Sequence, residues 1–315
     1  MDAVIDIGSN SVRLLLKKTD GVNAKELDST SLADGLALTG ALSAPAMART
    51  SEAVKRFTMK AEAEGAENIY IFGTEAMRAA SNSEEFRIRL QEETGRRVHV
   101  VSGDTEAKLG LYGAMTDMPP GEITVIDIGG ASVEIVRGNY DRITYCKSLP
   151  LGMVRLIDVA GTNRADIENY VSKNITAFGP ISGWEAAAIG GTATSLASMD
   201  LNQKKYDARE VHGHILTLGA MRRLTDKIFA SKSVTDDFPS LSLKRARIIG
   251  HGAIMLSALT EYLGLNEVRV SEFDNMEGYL FCIKNGLVSC GEPTKIRRKQ
   301  SGSRTKRRIL NLFGR

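Results

Sequence analysis

The chain has 315 residues, long enough to make two domains of similar size the first expectation. With 43% hydrophobic and 25% charged residues its composition is that of ordinary globular proteins, which excludes collagen-like, disordered and coiled-coil classes for the main body. The formal charge of +3 hides an asymmetry: nine basic residues and no acidic one lie between Lys295 and Arg315, so of the 41 basic residues 32 belong to the body, against 38 acidic ones.

No stretch approaches the roughly 18 apolar residues of a membrane span, and Met1-Asp2 runs into an apolar strand pattern without a basic leader. The expectation is a cytoplasmic protein that meets no membrane. Cys146, Cys282 and Cys290 form no C-x-x-C pair and are odd in number, which argues for plain thiols rather than a disulfide framework or a zinc site.

In chain order, Ala3 to Ile7 reads as a buried strand, followed by a Gly/Ser/Asn turn and a second strand over 12–16. Helix-like mixtures of Ala, Glu, Arg and spaced apolar residues cover 46–64 and 83–94, and buried strands are expected at 68–72 and 97–101. Met118-Pro-Pro-Gly121 then punctuates the chain. Directly after it the opening segment returns: Ala3-Val-Ile-Asp-Ile-Gly-Ser-Asn-Ser-Val12 is echoed by Thr124-Val-Ile-Asp-Ile-Gly-Gly-Ala-Ser-Val133. Self-similarity over that distance implies two related domains, with the boundary at 121. The second copy continues with a strand at 186–189, helices over 164–178, 219–230 and 242–263, a strand at 267–271 and a helical stretch from 275 to about 287. Alternating strands and helices make both halves α/β. Residues 289–315 read as a mobile basic tail; the alternative is an electrostatic arm for a polyanion, with no specific nucleic-acid site.

A turn of the form Asp-x-Gly-[Ser/Gly]-x-Ser between two strands suits phosphate. Small residues admit a ligand to the backbone, successive N–H groups form an anion nest, hydroxyls add donors, and the leading Asp can hold a cation. Two copies, Gly8, Ser9, Asn10, Ser11 and Gly129, Gly130, Ala131, Ser132, would grip a phosphate chain from both sides if the domains face each other. A third small-residue run, Gly190, Gly191, Thr192 and onward, joins a strand to a helix, the kind of turn that binds phosphate or nucleotide through helix N-terminal amides. His212 and His214 share one face but read as structural.

Six segments in order resemble the exopolyphosphatase/guanosine pentaphosphate phosphatase (Ppx/GppA) family of the actin, Hsp70 and sugar-kinase superfamily. They are Ile5 to Leu14, Gly73 to Asn82, Ser102 to Ala107, Ile126 to Glu134, Ser148 to Leu156 and Gly190 to Thr194. The resemblance implies two actin-like (ribonuclease H-like) domains, 1–121 and 122–288, with a phosphate-binding cleft between them. It implies a hydrolase that releases terminal phosphate from inorganic polyphosphate or, alternatively, guanosine pentaphosphate. It casts Glu106 as the glutamate that activates water, Arg78 and Asn82 as phosphate holders, and Asp127 and Glu134 as the carboxylates of a Mg²⁺ site. It also suggests a homodimer and a short form of the family. A superfamily ATPase or kinase, and a non-catalytic polyphosphate or alarmone sensor, remain the other classes. Two segments depart from the family pattern, Arg245-Ala-Arg-Ile-Ile-Gly250 and Ser271-Glu-Phe-Asp-Asn-Met-Glu-Gly278, which puts the second-domain wall of the cleft and the substrate preference in question.

Overall fold

The computed structural model describes residues 1–17, 23–116, 118, 121–182 and 185–287. The basic tail, Cys290 and the end of the second domain at 288 lie outside the described residues.

Among the described residues eleven strands form two sheets with the same plan. In the first half β1 (Asp2–Ile7), β2 (Val12–Lys17), β3 (Asn23–Asp28), β4 (Asn68–Gly73) and β5 (Val98–Val100) are ordered β3-β2-β1-β4-β5. In the second, β6 (Ile123–Ile128), β7 (Val133–Gly138), β8 (Ile143–Leu149), β9 (Ala186–Ile189), β10 (Ile215–Thr217) and β11 (Glu267–Val270) are ordered β10-β11-β9-β6-β7-β8. Each sheet begins with an antiparallel meander, and its first strand is then flanked by a parallel one: β1 by β4, and β6 by β9. A strand with neighbours on both edges and cover on both faces reads as a nearly continuous apolar run, and β1 is buried from Ala3 to Ile7, a run in which Asp6 is the one polar member. The duplicated sequence is therefore a duplicated sheet core.

Helices supply the cover. Ala44–Ala63 opens with Ser43 accepting from the Ala46 amide and lays Ala46, Thr50, Ala53, Val54, Phe57 and Ala61 on the first sheet, a stripe at helical spacing. In the second half Gly190–Asp200 and Ile249–Tyr262 join the core built on β6, β9 and β11. The expected single helix over 242–263 is two, Leu243–Ala246 and Ile249–Tyr262. Strands β3 and β8 carry no apolar pattern strong enough to announce them.

The boundary expected at 121 does not separate the packing units. Helix Gly103–Ala114, which precedes it, buries Ala107, Leu111 and Ala114 against Ile123, Val125, Val136, Ala187 and Ile189 of the second sheet. Helix Asn275–Asn285 returns the exchange, placing Tyr279, Leu280 and Cys282 with Val4, Leu15, Tyr70 and Phe72 of the first sheet, with Tyr279 stacked on Phe72 at 4.8 Å. The two helices cross where neither tolerates a side chain. A Cβ on Gly113 would lie 1.9 Å from the Asp274 carbonyl oxygen, and one on Gly278 would lie 1.8 Å from that of Leu109.

Candidate phosphate-binding cleft

The two hairpin turns have the same internal bond: the Gly8 amide donates to the Ser11 carbonyl at 3.0 Å and the Gly129 amide to that of Ser132 at 2.9 Å. The turns touch. A Cβ on Gly130 would come within 2.9 Å of the Asn10 amide nitrogen and 3.0 Å of Ser9 Cβ, so only glycine lets them approach this closely. Between them opens a cavity of about 420 Å³, large enough for a small polyanionic ligand. Gly8, Ser9, Asn10 and Ser11 line one side and Gly129, Gly130 and Ser132 the other. Asn10 Nδ2 is buried without a hydrogen-bond partner, a donor available to a ligand oxygen. Gly190 and Gly191 border the same cavity, Gly190 at φ +78° with its Cα so near Asp127 Oδ1 that a Cβ would sit 2.6 Å from it.

Register makes the chemistry of the two hairpins unequal. Asp6 pairs with Arg13 across the first, and Asp127 with Glu134 across the second. Arg13 donates to Asp6 through Nε at 3.0 Å and Nη2 at 2.5 Å, and to Asp274 through Nη1 at 2.5 Å. Burial opposes its charge, but Asp274 and Asp6 hold its pKa above the ordinary value. The second hairpin sets the half-buried Asp127 opposite the buried Glu134, and among the described residues no basic side chain pairs with either. Asp127 Oδ2 accepts from Asn275 at 3.1 Å and Glu134 Oε1 from Ser148 at 2.6 Å, while Glu134 Oε2 is buried with no partner. Burial raises the pKa of both, Asp127 to about 7, and nearby carboxylates push Glu134 up further. Among the described residues no three His, Cys, Asp or Glu side chains form a ready cation cage. Two carboxylates with an unpartnered oxygen fit Mg²⁺, which keeps several waters and takes one or two carboxylates plus substrate oxygens.

Glu106 enters the cavity from the first turn of Gly103–Ala114, a helix that Ser102 caps by accepting from the Thr105 amide at 3.1 Å. It is 6% exposed. Desolvation raises its pKa to about 8 against the pull of Arg78, whose Nη1 donates to Glu106 Oε2 at 2.7 Å, and Asp127 and Asp6 add to the rise.

Glu134 is buried behind the cavity and is not among its lining residues, and the other expected residues, Arg78, Asn82, Ala131 and Thr192, also stand apart from the wall. Asn82 Oδ1 accepts from the Leu42 amide at 2.8 Å and its Nδ2 donates to the Leu42 carbonyl at 2.9 Å and points at Met47 Sδ at 4.0 Å, which commits the side chain to tying down a loop away from the cavity. Arg78 faces Glu106, Glu75 and the Val101 carbonyl. Thr192 is fully buried and donates to the Ile128 carbonyl at 2.8 Å. Ala131 packs in the core of the first half. His214 Nε2 lies 3.0 Å from Asp200 and His212 Nδ1 accepts from the Glu272 amide, so the pair is structural.

Sequence reasoning did not reach Lys25, Tyr206, Arg245, Glu272, Asp274 and Asn275 as wall residues. Four of these belong to the two departing segments, so the departures do fall on the cavity wall. Asp274 had a legible local signal, since Asp274-x-x-Glu277 forms a capping box. Its bond to Arg13 had none.

Residues 17–284 match the Ppx/GppA phosphatase family. A guanosine-5'-triphosphate,3'-diphosphate pyrophosphatase of Pseudoalteromonas translucida is 30% identical over 297 residues, covering 89% of this chain and 58% of that one. A bifunctional 3-dehydroquinate synthase/phosphatase of Fusobacterium nucleatum is 28% identical over 304 residues, 88% of this chain and 45% of the other. The chain thus spans about half the length of the curated relatives it matches. Among solved structures, an exopolyphosphatase from Cytophaga hutchinsonii superposes with TM-score 0.81 at 25% identity, covering 92% of this chain and 99% of that one. The Aquifex aeolicus member of the Ppx/GppA family does so with TM-score 0.75 at 28% identity, covering 91% and 98%.

Proposed function

Because the chain belongs to the Ppx/GppA phosphatase family and has its two-domain actin-like fold, we propose that it is a phosphoanhydride hydrolase that releases terminal phosphate from inorganic polyphosphate. The observation that carries this reading is the cavity in which both duplicated turns meet Glu106. Phosphoryl transfer asks for positioning and electrostatic stabilisation more than for covalent chemistry. The amides and hydroxyls of Ser9, Asn10, Ser11 and Ser132 bind the phosphate oxygens. Glu106, held at one oxygen by Arg78, orients a water and takes its proton for in-line attack, expelling the shortened chain. Burial raises the basicity of Glu106 toward that task. Asp127 and Glu134 would hold Mg²⁺, which when bound offsets phosphate charge.

Guanosine pentaphosphate is the second reading. It is favoured by the name of the Pseudoalteromonas relative and by the extension of the cavity past Gly191 to Tyr206 and Arg245. The cytoplasmic setting and the homodimer remain expectations of the family resemblance. The test is phosphate release by the purified protein with Mg²⁺ from long-chain polyphosphate, short chains, guanosine pentaphosphate and ATP. Release from polyphosphate without any acceptor supports a hydrolase over a kinase; turnover of guanosine pentaphosphate alone selects the second reading. No release from any of the four would contradict both.

A further inference from the structure

Arg78 stands between two carboxylates. Its Nη1 donates to Glu106 Oε2 and to the Val101 carbonyl, both at 2.7 Å, while Nε and Nη2 donate to Glu75 Oε2 at 3.1 and 2.8 Å. The i,i+3 spacing on the short helix Glu75–Ala79 puts Glu75 and Arg78 on one face. The second oxygen of Glu75 lies 3.9 Å from Arg155 Nη2 on helix Met153–Ala160, so the same carboxylate also meets the other half of the molecule. Nε and Nη2 are the pair of donors a guanidinium offers to one anion in a fork. In an enzyme whose ligand is a polyanion, a guanidinium with that pair free would be drawn to phosphate and away from the base.

We propose that Glu75 is a positioning residue: by occupying the Nε/Nη2 fork it fixes Arg78 against Glu106, which leaves one Glu106 oxygen for the attacking water. This rests on the hydrolase reading above. Glu75 does not line the cavity and meets no substrate; it acts through Arg78.

Two experiments on the full chain test this. In steady-state phosphate release, Glu75→Gln lowers kcat about tenfold or more with KM within about twofold, in the range that outer partners of a reacting group command elsewhere. Glu75→Asp restores part of the loss. In an Arg78→Gln background, Glu75→Gln causes no further fall, since its route through Arg78 is already cut. A loss of the same size in that background, or an effect on KM alone, overturns the proposal. The second readout needs no turnover: in a ¹⁵N spectrum of the ligand-free protein the Arg78 Nε–H signal is protected from solvent exchange, is lost in Glu75→Gln and persists in Glu106→Gln. An unchanged signal in Glu75→Gln overturns the clamp. A wild-type protein that releases no phosphate from any substrate defeats the hydrolase reading, and the spectrum still decides on the clamp.

Discussion

Asp6 and Asp127 occupy the same place in the two hairpins, and the residue opposite each decides what it can do. Arg13 pairs with Asp6, whereas opposite Asp127 stands a second carboxylate, Glu134, and on the proposed function the two would share a cation. Asp127→Asn or Glu134→Gln is therefore expected to raise the Mg²⁺ concentration that gives half-maximal activity, as a hard cation loses an anionic oxygen. Unchanged Mg²⁺ dependence in both variants would place the cation elsewhere. Glu106 gives a second prediction, on stability. Its folded pKa of about 8 stands above the ordinary 4.5, so folding favours the protonated form. Below about pH 4.5 the group is protonated in both states; as pH rises toward 8 the unfolded chain releases that proton more readily, and stability falls. Without Mg²⁺, the wild-type Tm should drop between pH 5 and 8 by several degrees more than that of Glu106→Gln. Parallel slopes would show that the burial of this carboxylate has no such cost.

At the scale of elements, the exchange of Gly103–Ala114 and Asn275–Asn285 between sheets is what brings Glu106 and Asp274 into one cavity. Gly278→Ala puts a methyl group where a backbone carbonyl already stands, an overpacking with no flexible side chain to yield. It should lower the free energy of unfolding by about 1–3 kcal/mol or more in urea; a loss below about 0.5 kcal/mol would mean that the crossing can open. This exchange was illegible beforehand, because helix periodicity shows which face is apolar and not which sheet it meets. The hairpins were legible for the opposite reason: turn chemistry is local, and its repetition 121 positions on marked the duplication. The polar strand β3, Asn-Ala-Lys-Glu-Leu-Asp, has no alternation to betray it, yet it carries Lys25 to the cavity wall. The place of Asn82 in a motif points to phosphate, but its contacts with the Leu42 backbone belong to a loop 40 residues away, which no motif contains.

The molecule as a whole is two copies of one sheet closed around a cleft, with an acidic body and nine basic residues near the C-terminus. Charge alone predicts that deleting 295–315 weakens binding of long-chain polyphosphate at low salt and leaves short substrates unaffected, since an acidic body repels a polyanion at long range. The difference should fade beyond about 0.15 M salt, where the Debye length is ~8 Å; equal long-chain affinities at low salt would exclude an electrostatic arm. The central claim is that the cleft performs hydrolysis with Glu106 as base. The most direct measurement is turnover of polyphosphate by the wild type and Glu106→Gln in H₂¹⁸O with Mg²⁺ and no acceptor. The expected result is orthophosphate carrying one ¹⁸O from the wild type, and a rate about 10²–10⁴-fold lower from a folded variant that still binds substrate. Near wild-type turnover by Glu106→Gln, or phosphate without the label, would contradict the account.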